Sequence, residues 1–212
     1  KFVVTYMRST NGSAFVATIS GTSLSFGSAS TFASSSSANH INPVFDSNAG
    51  KVVICYTDTN NSSYGTAVVG TVSGTSISFG SPVVFQSANS KEMSVVFDSN
   101  SNKIIVAYKN DANSQYGTAV VGTVSGTSIT YGTPVVFETG TSNDMKAAYD
   151  SNAGKVVFVY QDASNSSYAT AVVGTVSGTS ISFGTPVVFE SSSSENFGVA
   201  FDSSNNKIVI AR

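Results

Sequence analysis

The chain contains no tryptophan, one cysteine, one histidine and two arginines in 212 residues. Each shortage removes a class of function. One histidine, His40, cannot build a histidine-rich metal centre or leave a second for catalysis. It falls in a polar connection without an obvious counterpart elsewhere and reads as a surface loop residue. Cys55 has no partner for an internal disulfide and sits in the apolar run 51–56, where a small core hydrophobe fits. Only 10% of residues are charged, the net charge is −2 and no Lys/Arg cluster exists to neutralise a phosphate backbone, so nucleic-acid binding is not expected. No apolar run approaches the ~20 residues of a membrane-spanning helix, and no signal peptide stands out.

What is present points to sheet. Hydrophobic residues make up 41% of the chain, enough to exclude the low-hydrophobicity, high-charge signature of disorder. They are mainly Val, Ile, Phe and Tyr, which suit a pleated packed surface. Stretches rich in Ala, Leu, Glu and Lys, the helix builders, are missing.

The dominant feature is an internal repeat. Gly21, Gly74, Gly126 and Gly178 each follow a serine and precede a threonine, at intervals of 53, 52 and 52 residues. Asp46, Asp98, Asp150 and Asp202 each follow an aromatic residue and recur every 52 residues. The segment at 65–76 is repeated at 117–128, and 169–180 differs from it only at Ala169. The units run approximately 1–40, 41–92, 93–144 and 145–196, with a partial one at 197–212.

Each unit carries four strand signals, here named A to D. In the third unit A is 93–97, B is 103–108, C is 116–124 and D is 128–137. Short polar turns join A to B and C to D, and longer polar segments, 109–115 and 138–144, join B to C and D to the next A. Short turns between neighbours imply antiparallel hairpins. Runs such as Val52-Val53-Ile54-Cys55 and Ile104-Ile105-Val106-Ala107 are continuously apolar, which marks strands buried on both faces. Four antiparallel strands in about 50 residues, packed on both sides, predict an all-β fold of β-propeller blades. Gly70, Gly122 and Gly174 in C, with Ala147, Ala148, Gly198 and Ala200 in A, are expected to permit close approach near a crowded axis. The rival architecture is a parallel β-solenoid, which the hairpin turns fit poorly.

The count is BCD, three sets of ABCD, then AB: seventeen strands, one more than four blades need. Either the first B strand pairs with the final A and closes a four-bladed ring, leaving one B strand redundant, or the chain is an arc of a larger ring completed by further blades from a longer chain or by a homo-oligomer.

The copies differ from one another at one end. A–B and C–D turns hardly change, whereas the B–C segments 57–63, 109–115 and 161–167 and the D–A segments 86–92, 138–144 and 190–196 do, and the first B–C loop, 7–12, is shorter. Rigid scaffolds place binding residues on such rims. Flanking the B–C loops are Tyr56, Tyr108 and Tyr160, and Tyr64, Tyr116 and Tyr168. Beside them stand Asp58, Asp111 and Asp162 with Asn60, Asn113 and Asn165. Aromatic faces with adjacent carboxylates and amides suit a glycan, although a tyrosine pair across a hairpin mouth is also ordinary strand packing. The run Asp98-Ser-Asn-Ser-Asn102 starts like a Ca²⁺ loop but lacks the closing bidentate acid. An Asx turn that caps its own backbone accounts for it. The expectation is a non-enzymatic chain without cofactor, which binds a glycan or a surface protein or serves as a spacer.

The units 97–108 and 64–85 resemble Ser/Thr/Gly-rich repeats in hypothetical proteins of marine phage and marine metagenomes, over essentially the whole chain. That resemblance implies a propeller-like structural or tail-associated protein on a virion surface or outside the cell. The A–B turn, Asp to Lys, is also distantly similar to sialidase-type and kelch propeller turns. A sialidase needs three arginines, and two cannot supply them, so no catalytic residue carries over.

Overall fold

The computed structural model describes residues 1–8, 11–34 and 38–212, and these form strands and turns with no helix. The all-β, antiparallel, repeating organisation is as the sequence predicts. The chain forms two compact units, residues 1–89 with 124–130, and residues 90–123 with 131–212.

In the first unit the opening repeat supplies β1 (Phe2–Arg8), β2 (Asn11–Ser20), β3 (Ser23–Phe26) and β4 (Ser30–Ala33). The second repeat supplies β5 (Ala38–Asp46), β6 (Lys51–Asp58), β7 (Tyr64–Ser73) and β8 (Ser76–Phe79), and ends in the first half of β9 (Val83–Asp98). The second half of β9 opens the third repeat in the other unit. It is followed by β10 (Lys103–Asn110), β11 (Tyr116–Ser125), β12 (Ser128–Tyr131) and β13 (Val135–Asp150). The end of β13 opens the fourth repeat, with β14 (Lys155–Asp162), β15 (Tyr168–Ser177), β16 (Ser180–Phe183) and β17 (Val187–Ser193). β18 (Gly198–Asp202) and β19 (Lys207–Ala211) are an A–B hairpin that begins a fifth.

Two features of the strand plan differ from the sequence reading. Each D strand is broken in two, at 27–29 by Gly-Ser-Ala and at 80–82, 132–134 and 184–186 by Gly-Ser-Pro or Gly-Thr-Pro; in the last three the proline has no N–H to offer a ladder, and the first breaks at the same place without one. The D–A connections expected to be loops are instead extended: 86–92 and 138–144 lie inside β9 and β13, paired to the strands on either side through bulges. Splitting and merging turn the expected seventeen strands into nineteen among the described residues.

The turns are built as their residues require. Gly21, Gly74, Gly126 and Gly178 open the C–D turns at φ between 59° and 61°, a conformation that costs a glycine little. In the A–B turns one carboxylate oxygen accepts two backbone N–H groups: Asp46 from Asn48 and Ala49, Asp98 from Asn100 and Ser101, Asp150 from Asn152 and Ala153, Asp202 from Ser204 and Asn205. These are the Asx turns expected from the sequence. Burial opposes the charge on Asp98, but hydrogen bonds from the Ser101 hydroxyl and the N–H groups of 100 and 101 outweigh it and hold the carboxyl below the ordinary range. A depressed folded pKa contributes stability above the unfolded value, and that contribution is lost as pH falls through the folded one. Asp98→Asn should therefore melt lower than the parent at neutral pH, with the gap closing in acid; a constant gap across a pH series of melting curves would contradict this.

Repeats pack face to face through the same residues in both units. In the first, Ala14, Val16 and Phe32 of one repeat meet Val52, Ile54, Tyr56, Val68 and Ile77 of the next. In the second, Ala119, Val121 and Phe137 meet Val156, Phe158, Tyr160, Val172 and Ile181. The apolar runs are buried on both faces as predicted, and Cys55 is buried among them. Two of the strand-C glycines make room within their own repeat. A side chain at Gly70 would meet Ile77 Cδ1 at 2.9 Å and Phe79 Cε1 at 3.1 Å, and Gly174 stands in the same relation to Ile181 and Phe183. They clear space for apolar side chains of their own repeat's D strand.

Candidate binding rim

The B–C loops carry different side chains on one backbone. In the second repeat the Asp58 carboxylate accepts the Asn60 N–H at 3.1 Å, the Asp58 carbonyl accepts the Asn61 N–H at 3.1 Å, and the Asn61 carbonyl accepts the Tyr64 N–H at 2.9 Å. In the third repeat Asn110 replaces that aspartate, accepting from Ala112 and Asn113 at 3.1 and 3.0 Å, and Asn113 accepts from Tyr116. In the fourth, Asp162 accepts from Ser164 and Asn165, and Asn165 from Tyr168. Each loop then closes through two residues of positive φ: Ser62 and Ser63, Ser114 and Gln115, Ser166 and Ser167. Three hydrogen bonds and two left-handed residues hold one shape.

This alignment corrects the grouping made from sequence. Asn110, not Asp111, is the counterpart of Asp58 and Asp162, and Asn61, not Asn60, is that of Asn113 and Asn165. The eye pairs like with like; the hydrogen bonds pair position with position. Asp111 stands one residue further on and forms an ion pair with Lys91 at 2.7 Å. Asp58 and Asp162 spend one carboxylate oxygen each on their own loops, whereas Asn60, Asn113 and Asn165 are exposed.

The six tyrosines divide into two sets. Tyr56, Tyr108 and Tyr160 are fully buried at the ends of β6, β10 and β14, so their rings belong to the core and present no face to a ligand. Burial pushes all three phenols above their ordinary pKa, aided at Tyr56 by Asp58 and at Tyr160 by Glu138, to which its hydroxyl donates at 2.8 Å. Tyr64, Tyr116 and Tyr168 are part-exposed and remain as stacking surfaces. Strand packing, the plainer of the two sequence readings, thus accounts for half the set.

The tip of the first B–C loop, residues 9–10, lies outside the described residues. His40 is not the isolated loop residue it resembles in sequence. With φ 48° it takes the backbone position of Glu92 at 50°, Asp144 at 46° and Asn196 at 63°, just before each A strand. In the second unit the acids at this position reach the next repeat: Glu92 accepts the Asp144 N–H at 3.2 Å, and Asp144 accepts the Phe197 N–H at 2.9 Å.

Sequence reasoning marked these segments as variable but missed the polar chain that joins them. Lys109 Nζ donates to Asn143 Oδ1 at 2.8 Å, Asn143 Nδ2 to Gln161 Oε1 at 3.2 Å, and Gln161 Nε2 to the Ser194 carbonyl at 3.1 Å. The available signal was the exchange of Thr57, Lys109 and Gln161 at one repeat position. In the first unit the rim holds a cleft of about 230 Å³ lined by Phe32, Ala33, Ser34, Tyr56, Asp58, Asn60 and Pro82. Asn60 Nδ2 donates to the Ser34 carbonyl at 3.0 Å across it. Among the described residues no three or more His, Cys, Asp or Glu side chains group as metal ligands. The chain matches no protein-family model and has no significant similarity to a curated protein.

Proposed function

We propose that this chain is a non-enzymatic binding protein of propeller architecture, which presents its B–C rim to a hydroxyl-rich ligand, a glycan on a cell or virion surface. One observation carries the reading. Three B–C loops share a backbone down to their paired left-handed residues, while the outward side chains at successive positions differ: Thr59, Asp111 and Ala163, then Asn60, Ala112 and Ser164. A fixed frame with exchangeable side chains is how scaffolds diversify recognition. The cleft at Asn60 supplies an amide, a carboxylate and a main-chain carbonyl, the mixture that orients sugar hydroxyls. The radial arrangement is supported by antiparallel four-stranded repeats buried on both faces, and small-angle scattering tests it: a compact particle is expected, and a rod would refute it.

A glycan array probed with the whole chain should show binding, and Asn60→Ala should weaken any ligand of this cleft about tenfold or more without lowering the melting temperature appreciably. Silence across the array would favour the alternative, a structural spacer with no ligand of its own.

A further inference from the structure

In the third repeat two lysines occupy a position that other repeats fill with neutral residues. Where β9 and β10 pair, Lys91 and Lys109 stand directly opposite each other. The same cross-strand pair is Asn143 with Gln161 in the fourth repeat and Asn39 with Thr57 in the second. Side chains opposite each other on neighbouring strands share one face of the sheet, and like charges placed there are destabilising. Neutral pairs serve the same backbone elsewhere, so the sheet itself does not call for lysine.

One of the two meets an acid and the other does not. Lys91 Nζ lies 2.7 Å from Asp111 Oδ2. Lys109 is half-buried and donates instead to the neutral Asn143 Oδ1 at 2.8 Å. It takes part in none of the ion pairs formed among the described residues. Four other acids of the second unit's rim are engaged elsewhere. Asp144 accepts Lys146 Nζ at 2.6 Å and the Phe197 N–H at 2.9 Å, and Glu92 accepts the Asp144 N–H at 3.2 Å. Glu138 accepts the Tyr160 hydroxyl, and Asp162 caps its own loop.

The amide chain beyond Lys109 fixes where its charge sits. Asn143 Nδ2 donates to Gln161 Oε1 at 3.2 Å, and Gln161 Nε2 to the Ser194 carbonyl at 3.1 Å. Each amide therefore presents its oxygen to the donor before it and its nitrogen to the acceptor after it. An amide oxygen orients an ammonium without neutralising it. The ammonium has three N–H donors, and the bond to Asn143 uses one. A charged donor already held in place loses less conformational freedom when a ligand arrives.

From the opposed lysines and the tethered ammonium we infer that Lys109, with Lys91 beside it, forms an anion subsite of the rim, and that the glycan recognised at the third repeat is acidic, bearing a carboxylate or a sulfate group. The inference rests on the glycan-binding reading above and narrows it to one ligand class. The anion takes charge-assisted hydrogen bonds from Lys109 in place of an internal ion pair. It also offsets the repulsion between the two lysines, so the feature that costs the free protein stability is relieved in the complex. A local rule broken without a structural gain marks a functional position.

An array of neutral, carboxylated and sulfated glycans, probed with the whole chain, should show binding to acidic members that weakens as salt is raised. Lys109→Gln should reduce that binding about tenfold or more while melting no lower than the parent. The fourth repeat already holds a glutamine at this position, so the fold accepts one, and removing one of two opposed charges relieves the sheet. Comparing the carboxylated with the sulfated members tells which group the subsite takes. Binding to neutral glycans alone, or acidic binding that Lys109→Gln leaves intact, would overturn this inference and leave the rim reading standing. Silence across the array would overturn both. A variant that melts clearly lower would show that the lysine serves the fold, and the inference would fall.

Discussion

Gly132→Ala is expected to destabilise the chain by about 3 kcal/mol or more, and Gly184→Ala to leave it nearly unchanged. Both glycines precede Thr-Pro-Val-Val-Phe, so local sequence offers no reason for a difference. The difference lies in what each faces. A methyl group at Gly132 would sit 1.9 Å from the Thr179 carbonyl oxygen, well inside van der Waals contact, and the obstacle is backbone that cannot rotate away. The third and fourth repeats would have to separate, exposing the cluster around Phe137 and Phe158. At Gly184 the nearest atom is the Val173 carbonyl oxygen of the same repeat at 3.9 Å, an ordinary contact. Urea denaturation of both variants measures the contrast; equal losses would show that the glycine is needed for strand geometry alone.

Phe137→Ala should cost about 3–5 kcal/mol, against about 1 kcal/mol or less for Phe189→Ala at the same repeat position. Phe137 lies at the centre of an aromatic group: its ring is stacked on Phe158 at 5.2 Å and tilted against Tyr160 at 5.4 Å and Phe183 at 5.5 Å. Removing it leaves a cavity bounded by side chains anchored in two different repeats, and strands pinned by their ladders collapse poorly into such a space. Phe189 meets Phe197 edge-on, at 6.2 Å, and is 41% exposed, so truncation frees a volume that water already reaches. Comparable losses in equilibrium unfolding would refute the contrast.

The periodic features of the fold were legible in the residues because they depend on local chemistry. Asp98 caps the two N–H groups that follow it wherever Asp-Ser-Asn occurs, and the C–D glycine takes positive φ wherever Ser-Gly-Thr-Ser occurs. Ile104–Ala107 had to be buried on both sides because a continuous apolar run leaves no face for water. The D–A connections were misread as loops for a related reason. Segments such as 138–144 are polar and hold glycine, yet neighbours on both sides supply ladder partners, and pairing overrides composition.

The rim was legible as a place and not as a set of side chains. Variation among copies marked the B–C segments correctly, but it cannot say which tyrosine of a pair faces inward. Tyr108 and Tyr116 are alike in sequence; one ends β10 beneath the next packed repeat and the other begins β11 at the edge. The 52-residue period already sets Asp58 against Asn110 and Asp162 rather than Asp111, and the loop-capping oxygens agree with it.

The sequence by itself determined the strands, their turns, their antiparallel order and the doubly buried character of the middle ones, since all of these follow from neighbours a few residues apart. Only the tertiary structure decided which identical motifs are equivalent. Gly132 and Gly184, Phe137 and Phe189, Tyr108 and Tyr116 differ in what another repeat, some fifty residues away, brings against them. Packing is a property of the pair, and local sequence describes only one member of it.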